Sequence, residues 1–166
     1  YKMNNHHFES TKPNFKANAR FIFLTLLLVL VYSTMLFSAT IYIDPTNTAS
    51  NQNGSITNPY NAWNKVTFTN GDTYLQKRGT TYTTNSSISI ANKSNITLGS
   101  YGTGPDAKLV ASGTGYYFIN INSSSNVVVS DLEITSSGTW KAGVIIQGTN
   151  SANNLVDNCL IHNVEW

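Results

Sequence analysis

The chain contains many short runs in which apolar and polar positions alternate, each three to five residues long. These runs are rich in β-branched side chains and are bounded by Gly, Asn or Ser, which is typical of short β-strands. Helical periodicity is absent after residue 70, so the pattern predicts an all-β body. The clearest runs span residues 41–43, 88–90, 96–98, 118–121, 127–129, 132–134 and 144–146.

The strand pattern repeats along the chain. Residues 95–101 align with residues 126–132, which align in turn with residues 153–159, at spacings of 31 and 27 residues. Each unit is a strand, a one-residue corner and a second strand. A single unit cannot bury its own apolar side, whereas stacked units bury a continuous column and pair equivalent strands. The repeat therefore predicts a parallel β-solenoid. Two columns of matched inward positions are Leu98, Val129, Val156 and Tyr101, Leu132, Cys159.

A β-sandwich is the alternative arrangement of such short strands. A sandwich needs tight hairpins, such as Asn-Gly turns, between neighbouring strands. The Asn-Gly pairs at residues 53–54 and 70–71 lie outside the repeat. The in-register repeat therefore favours the solenoid.

The corner between the two strands of a unit is occupied by Ser100, Asp131 and Asn158. A sharp bend between two inward residues needs a backbone near the left-handed region, which Asn and Asp tolerate best among non-glycine residues. We therefore interpret Asp131 and Asn158 as structural corner residues. A catalytic role for the Asp131 carboxylate is the alternative interpretation.

Residues 59–70 differ from the repeat. Pro59 favours the start of a short helix that would place Ala62, Trp63 and Val66 on one face. The open end of a solenoid exposes its apolar column and needs a cap. We expect residues 40–70 to form an N-terminal cap of strand, loop and short helix, with Trp63 in a structural role. We expect residues 71–166 to form the first coils of a parallel β-helix that is truncated at its C-terminus.

The N-terminal segment has a different composition. Four basic residues precede an apolar, uncharged run of seventeen residues at positions 21–37. This is the layout of a secretory signal peptide, here residues 1–39. The run is also close to the ~17-residue lower limit for a spanning helix, so a retained membrane anchor is the alternative. In either case we expect a secreted or cell-surface protein that meets a membrane only through this segment.

The net charge of +2 comes from the same segment, because the residues after Ala39 include six basic and seven acidic side chains. The body of the protein therefore carries no excess of positive charge, and we expect no nucleic-acid partner. A single cysteine, Cys159, excludes an internal disulfide framework. Because Cys159 aligns with inward Leu132, we interpret it as a small buried apolar residue.

Seven segments resemble, in order, the start of secreted bacterial right-handed parallel β-helix proteins, many of them pectin-lyase-like and active on polysaccharides. The segments are IYIDP (41–45), NPY (58–60), WNKV (63–66), GDTYL (71–75), KRGTTY (77–82), ITLGSYGTG (96–104) and NVVVSDL (126–132). The resemblance covers residues 41–166 and implies a right-handed parallel β-helix with a capped N-terminal end. It says less about the reaction, because the same scaffold carries lyases, hydrolases, epimerases and adhesive proteins.

The resemblance implies chemistry on an acidic polysaccharide such as pectate, alginate or a glycosaminoglycan. A lyase needs its substrate carboxylate neutralised, by Ca²⁺ or another cation, and a base that removes the adjacent proton. A hydrolase needs a pair of carboxylates instead. Strand alternation turns Glu133 outward, but Leu160 occupies the matched position of the next coil, so these coils provide no acidic cluster for Ca²⁺. Glu133 and His162 are candidate catalytic residues, with a solvated face residue and a turn residue as the alternatives.

Three residues are candidates in the connection around residue 140 and in the strand before it. Trp140 beside Lys141 is typical of a sugar-stacking platform with a carboxylate-binding cation, and Lys141 is also a catalytic candidate. The alternative is that Trp140 folds back over the solenoid wall. In the Tyr116-Tyr117 pair one ring packs inward, and we take Tyr116 as the candidate for substrate contact.

Lys77 and Arg78 form the only adjacent basic pair in the chain. We place them between inward Leu75 and the turn at Gly79, in the entry coil beside the cap. Exposed lysine and arginine side chains are the rule. The pair is therefore interpreted as a solvated corner that contacts an anionic glycan chain.

The sequence thus predicts an exported, monomeric β-helix protein whose partner is a polysaccharide. The first functional hypothesis is a lyase that cleaves an acidic polysaccharide by β-elimination, with Ca²⁺ as the candidate cofactor and glycoside hydrolysis as the second reaction. The alternative is a non-catalytic glycan-binding or adhesive module, and a purely structural surface solenoid is the third possibility.

Overall fold

The computed structural model describes residues 38–165. This part of the chain contains twelve β-strands and a single 3-10 turn, Trp63–Lys65, with no longer helix. The strands are β1 Thr40–Ile43, β2 Thr73–Lys77, β3 Thr81–Thr84, β4 Ile88–Ala91, β5 Ser94–Tyr101, β6 Ala107–Ala111, β7 Thr114–Asn122, β8 Ser125–Ser130, β9 Leu132–Ser136, β10 Thr139–Gln147, β11 Leu155–Asp157 and β12 Leu160–His162.

The strands form three parallel sheets that run along a solenoid. Sheet 1 has the order β1-β2-β5-β8-β11, sheet 2 the order β3-β6-β9-β12 and sheet 3 the order β4-β7-β10. Each complete coil contributes one strand to each sheet. β1 precedes the first complete coil in sheet 1, and the other eleven described strands form three complete coils and the first two strands of another. The all-β parallel solenoid predicted from the repeat is confirmed.

The strand registers match the spacings of the repeat. In sheet 1, Leu98 pairs with Val129 and Val129 with Val156, so the offsets of 31 and 27 residues are those of neighbouring coils. In sheet 2, Ile161 pairs with Ile134. Backbone hydrogen bonds between equivalent strands therefore hold each coil on the next.

One part of the sequence alignment is wrong. Leu132 pairs with Ala107, not with Tyr101. β5 continues through Ser100 and Tyr101, and the chain turns later, at Gly102 and Gly104, whose φ angles are 82° and 115°. Ser100 is thus a strand residue and not a corner. The longer connection in this coil shifted the second strand out of the position that a constant repeat predicts.

The other corners have the left-handed backbone that the turn chemistry requires. Asp131 and Asn158 have φ angles of 56° and 47°, and the Asn158 amide donates a hydrogen bond of 2.7 Å to the Asp131 carboxylate. Two more columns of left-handed residues run along the solenoid: Gly71, Asn95, Asn126, Asn153 in one, and Asn92, Ser123, Gly148 in the other. Their recurrence explains why the body of the chain is so rich in asparagine.

Inward side chains form one continuous core of aliphatic and aromatic residues. In β2 the inward residues are Tyr74 and Gln76, both fully buried, so Leu75 faces outward and its sequence-based placement is wrong. Adjacent Tyr74 and Leu75 are both apolar, which leaves the direction of the strand ambiguous from alternation. The second inward residue of β2 is Gln76, and a polar side chain does not mark an inward position in the sequence.

The segment after Pro59 packs on the first coil without forming an α-helix. Trp63 is 3 % exposed and its indole nitrogen donates a 2.7 Å hydrogen bond to the Gln76 side chain. The Phe68 ring meets the Tyr74 ring edge-on, with centroids 4.7 Å apart. Residues 63–68 therefore cover inward side chains of β2.

The predicted signal segment lies almost entirely outside the described residues. Of its 39 positions only Ser38 and Ala39 are described, and they bond to Gly71 and Asp72. No helix within residues 38–165 is long and apolar enough to cross a membrane.

Candidate functional site

The outward face of sheet 2 carries a cluster of three ionisable side chains, one from each of three consecutive coils. Lys108 lies on β6, Glu133 on β9 and His162 on β12. Parallel pairing places Lys108 directly beside Glu133, and His162 beside Thr135, two positions further along β9. We call Lys108, Glu133 and His162 the Glu133 cluster.

The Glu133 carboxylate holds this cluster together. One carboxylate oxygen, Oε1, lies 2.6 Å from Nζ of Lys108 and 3.0 Å from Nε2 of His162. The hydrogen bond from Lys108, followed by that from His162, lowers the pKa of Glu133 below its usual value, and burial opposes this shift without cancelling it. Glu133 is therefore an anion at neutral pH, not a solvated face residue without partners.

His162 is held at both ring nitrogens. Nε2 meets Glu133, while Nδ1 lies 3.4 Å from the Thr135 hydroxyl, which also accepts a 3.4 Å contact from the Asn163 amide. When Nε2 carries the proton and donates a hydrogen bond to Glu133, Nδ1 is left as a hydrogen-bond acceptor. His162 is thus an oriented strand residue that can transfer a proton, and the turn interpretation is wrong.

A second set of charges lies at the corner that leads into the same strands. Arg78 forms an ion pair with Asp106 and lies 3.7 Å from Asp131, to which Asn158 also donates. Asp131 and Glu133 are two residues apart, so this corner is continuous with the Glu133 cluster. The Asp131 carboxylate therefore serves the corner and also balances the charge of Arg78.

Lys77 and Arg78 point to different partners. Nζ of Lys77 is 2.9 Å from Asp44, beside a depression of about 420 Å³ that Tyr101 also lines. Burial raises the pKa of Asp44, but the hydrogen bonds from Lys77 and Thr46 together outweigh it and leave the pKa lowered. Neither member of the basic pair is a free cation, which weakens their assignment to an anionic substrate.

The prediction that Trp140 forms an exposed sugar platform is wrong. Trp140 is 2 % exposed, its indole donates a 2.9 Å hydrogen bond to the carbonyl of Ser112, and its ring packs edge-on against Phe118. β10 begins at Thr139, so Trp140 occupies an inward strand position. The physical reason is that Gly115 on β7 leaves the space that the indole fills.

Tyr116 and Lys141 lie on the outward side of sheet 3. Tyr116 is 71 % exposed, and both side chains line one pocket of about 290 Å³ together with Thr114, Thr139 and Glu165. Lys141 is separate from the Glu133 cluster, so the structure does not bring the three catalytic candidates together.

Cys159 lies near the corner and is only half-buried. Burial raises the pKa of its thiol, and the nearby Asp131, Asp106 and Asp157 carboxylates raise it further, beyond the lowering effect of a backbone hydrogen bond. The sulfur is therefore a neutral thiol at ordinary pH and a poor nucleophile.

Metal binding has no geometric support in the described residues. Across residues 38–165 no group of three or more His, Cys, Asp or Glu side chains is arranged to hold a cation. The carboxylates nearest to one another, at the corner and in the Glu133 cluster, are already engaged with Arg78, Lys108 and His162. The Ca²⁺ hypothesis therefore gains nothing from these coils.

Sequence reasoning missed Lys108 and Asp106. Lys108 stands between the inward residues Ala107 and Leu109, so alternation alone marks it as outward. Lys108 was not aligned with Glu133, because the 102–106 connection has no counterpart in the later coils. Without β6 in the alignment, Glu133 had no cationic neighbour.

The fold places the protein among parallel β-solenoids, and comparison with solved structures gives its neighbours within that class. The crystal structure of the GH136 lacto-N-biosidase from Eubacterium ramulus, as the selenomethionine derivative, matches 91 % of this chain with a TM-score of 0.59 and 16 % identity. The native form of that enzyme matches 92 % of the chain with a TM-score of 0.55 and 17 % identity. At this identity the likeness is one of fold.

The chain spans about a third of the length of these neighbours, 30 % and 32 % respectively. No protein-family model matches the chain, and no curated protein sequence is significantly similar to it. The neighbours act on glycans by hydrolysis, and they do not single out the pectin-lyase-like proteins.

Proposed function

We propose that this chain belongs to a glycan-active enzyme and that the outward face of sheet 2 contacts the glycan. The observation that carries the proposal is the Glu133 cluster, in which one carboxylate is bonded to an ammonium at 2.6 Å and to an imidazole at 3.0 Å. Sugar hydroxyls donate and accept hydrogen bonds, and this cluster offers both kinds of group on an open strand face. The glycoside hydrolase that is the chain's fold neighbour, seen in two crystal structures, supports the same class of substrate.

Hydrolysis of a glycosidic bond is the reaction that fits the charges best. Of the two carboxylates that a glycosidase uses, Glu133 suits the ionised one, which acts as base or nucleophile, because its pKa is lowered. The cations of the cluster and the corner are paired with carboxylates, so they do not form a basic surface for a polyanion. An uncharged glycan is therefore the substrate that we favour.

β-Elimination on an acidic polysaccharide is the second candidate, and one observation favours it. His162 is oriented by Glu133 through Nε2, so Nδ1, which has only a 3.4 Å contact with the Thr135 hydroxyl, is the nitrogen that a lyase would use as its base. Lys108 would have to give up part of its contact with Glu133 to neutralise a substrate carboxylate.

The two reactions give different products, so one experiment separates them. The full-length protein is incubated with a panel of neutral glycans (β-glucan, galactan and xylan) and acidic ones (polygalacturonate and alginate). Hydrolysis releases reducing ends alone, whereas elimination also creates an unsaturated product that absorbs in the ultraviolet. We expect reducing ends from a neutral glycan and a loss of about 100-fold or more in rate for Glu133→Gln, the scale of a positioned acid or base.

The matched control is Asp157→Asn, a change of an exposed carboxylate on β11 of sheet 1. It should leave the rate within about twofold, because Asp157 lies on a different face of the solenoid. If an acidic glycan gives an ultraviolet-absorbing product and His162→Gln abolishes it, the reaction is elimination and not hydrolysis. Glycan binding without product would favour the non-catalytic module. The absence of both binding and product would refute the proposal.

A further inference from the structure

A second pocket lies on the outward side of sheet 3, apart from the Glu133 cluster. Its volume is about 290 Å³ and its lining is Thr114, Gly115, Tyr116, Thr139, Lys141 and Glu165, which we call the Tyr116 pocket. Its strands, β7 and β10, pair in parallel, with Thr139 beside Thr114 and Trp140 beside Gly115. The register therefore sets Lys141 next to Tyr116 across the two strands.

Gly115 lines the Tyr116 pocket, and the buried indole of Trp140 packs against it from the core side. A Cβ atom at Gly115 would lie 2.5 Å from the Trp140 ring, so only glycine allows the indole to fill the space beneath. Trp140 is held there by its hydrogen bond to the Ser112 carbonyl. The neighbouring ring of Tyr116 is left standing outward, with 71 % of the residue exposed.

The rim of the pocket is also tied to the fold. The hydroxyls of Thr114 and Thr139 lie 2.8 Å apart and bridge the two strands. The backbone N–H of Glu165 donates a 2.7 Å hydrogen bond to the carbonyl of Trp140, which brings the C-terminal segment against β10. The backbone positions of the aromatic, hydroxyl and charged groups are therefore fixed before any ligand arrives, which lowers the entropic cost of binding.

We propose that the Tyr116 pocket is a binding subsite for one uncharged pyranose unit of a glycan. An exposed tyrosine presents an apolar ring face that packs on the C–H face of a sugar, with a polar hydroxyl at its edge. The threonine hydroxyls, the ammonium of Lys141 and the carboxylate of Glu165 supply donors and acceptors for sugar hydroxyls. The volume is near the lower end of the ~300–1,000 Å³ range of ligand sites, which suits a single ring.

The charges of the pocket favour an uncharged sugar. Lys141 makes no ion pair within residues 38–165, and it shares the pocket with Glu165, so together they contribute no net charge. A uronate would gain an attraction to Lys141 and an equal repulsion from Glu165. A neutral ring uses both side chains as hydrogen-bond partners without that conflict.

The inference rests on the proposed function only in that the ligand is a glycan. β9 ends at Ser136 and β10 begins at Thr139, so the Tyr116 pocket follows the face of sheet 2 around one corner of the same coil. Binding of a remote sugar unit at such a place holds the polymer while its reacting bond lies elsewhere. The subsite is therefore expected to affect glycan affinity and not the chemistry at Glu133.

The test is an NMR titration of the ¹⁵N-labelled protein with hexasaccharides of glucose, galactose, mannose and xylose, and with polygalacturonate as the anionic probe. We expect one neutral hexasaccharide to shift the amide signal of Gly115 and the indole signal of Trp140. Tyr116→Ala should weaken that binding about tenfold, whereas Tyr116→Phe should keep it within about twofold because the ring face remains. Ile56→Ala, which removes an exposed apolar side chain elsewhere, is the matched control and should change nothing.

The outcomes separate this inference from the proposed function. Binding that shifts only sheet 2 signals and is unchanged by Tyr116→Ala would overturn the subsite and leave the proposed function standing. Binding of polygalacturonate alone, lost in Lys141→Gln, would overturn the assignment to an uncharged sugar. Absence of binding to every probe by the folded wild-type protein would overturn both. Because Tyr116 is largely exposed, its variants should fold, which their far-ultraviolet circular dichroism checks.

Discussion

Glu133 makes contacts that join three coils through a single carboxylate oxygen. Its partners, Lys108 and His162, lie on the strands that flank β9 in sheet 2. Charge-assisted hydrogen bonds of this kind are stronger than neutral ones, although a partly exposed pair adds little to global stability. The main consequence at this scale is the protonation state of Glu133, which both candidate reactions require to be anionic.

Acidification should therefore weaken the fold partly through Glu133. Its pKa in the folded protein lies below the usual 4.5, so its ionised form stabilises the fold above that pH, and the contribution is lost as the pH falls through the folded pKa. Between pH 6 and pH 3, the wild-type free energy of unfolding should fall by ~0.5–1 kcal/mol more than that of Glu133→Gln. Urea unfolding at both pH values measures this.

Asp157→Asn is the control for this pH experiment, because Asp157 makes no ion pair within the described residues. Its unfolding free energy should follow the wild-type pH dependence. An equal loss on acidification in Glu133→Gln and the wild type would show that the Glu133 cluster does not hold the carboxylate in its ionised form.

Columns of left-handed residues determine the shape of each coil. Asn95, Asn126 and Asn153 have φ angles of 57°, 54° and 54° at equivalent positions of consecutive coils, and Gly71 occupies the same position in the first. The Asn126 amide donates a 3.1 Å hydrogen bond to the Asn95 side chain. Asparagine thus combines tolerance of the left-handed backbone with a side-chain bond along the solenoid axis.

Substitutions at Asn126 should separate these two contributions. Asn126→Ala loses the side-chain bond and retains a Cβ atom in a left-handed conformation, whereas Asn126→Gly loses the bond but relieves that strain. We expect Asn126→Gly to be more stable than Asn126→Ala by ~1 kcal/mol, measured by denaturant unfolding. The order should reverse at Asn122, a β7 residue without a positive φ, where glycine costs ~0.5–1 kcal/mol relative to alanine. The same order at both sites would contradict the explanation.

At the scale of the whole molecule, buried Gln76 connects the N-terminal segment to the first two coils. Its side-chain oxygen accepts the Trp63 indole N–H, and its nitrogen donates to the carbonyls of Thr80 and Lys108. It is 0 % exposed, and no buried side-chain nitrogen or oxygen in the described residues lacks a partner. A polar residue in the apolar column is tolerated because each of its groups is bonded.

Gln76→Leu should therefore be strongly destabilising, although it adds an apolar side chain to an apolar core. The substitution leaves the Trp63 indole N–H without its partner in a buried site and removes the Gln76 donor from the Lys108 carbonyl, whereas the Thr80 carbonyl keeps its bond from the Lys108 backbone N–H. The expected cost is ~1–3 kcal/mol in the free energy of unfolding. Gln147→Leu is the matched control, because Gln147 is only half-buried and its bond to Asn120 is near solvent. Chemical denaturation of both variants measures the difference, and equal effects would refute the role given to Gln76.

Most strands were recognisable from alternation because each has inward β-branched or leucine residues at every second position. β8 and β9 show this with Val127, Val129, Leu132 and Ile134, and their counterparts in neighbouring coils repeat it. β2 was harder, because its inward positions hold Tyr74 and Gln76. A glutamine can be inward only when partners from other parts of the chain satisfy it, and local sequence carries no trace of those partners.

The candidate sites were predictable only in part. Alternation places Glu133 outward, but its cationic partner Lys108 is distant in the chain and joins it only through the register of β6 with β9. Tyr116 and Lys141 were recognised as exposed candidates, yet the pocket they share depends on the pairing of β7 with β10. Trp140 was misplaced because its burial depends on the empty space above Gly115, 25 residues earlier.

Local chemistry was enough to establish the class of fold. Apolar alternation, an in-register repeat and Asn or Asp at the corners each act within one coil, so the chain alone specifies a stacked parallel solenoid. The contacts of Glu133, the burial of Trp140 and the opening beside Tyr116 depend on which residues meet between coils. The length of each connecting loop sets that register, and a single longer connection at residues 102–106 shifted it, so those features became visible only in the assembled structure.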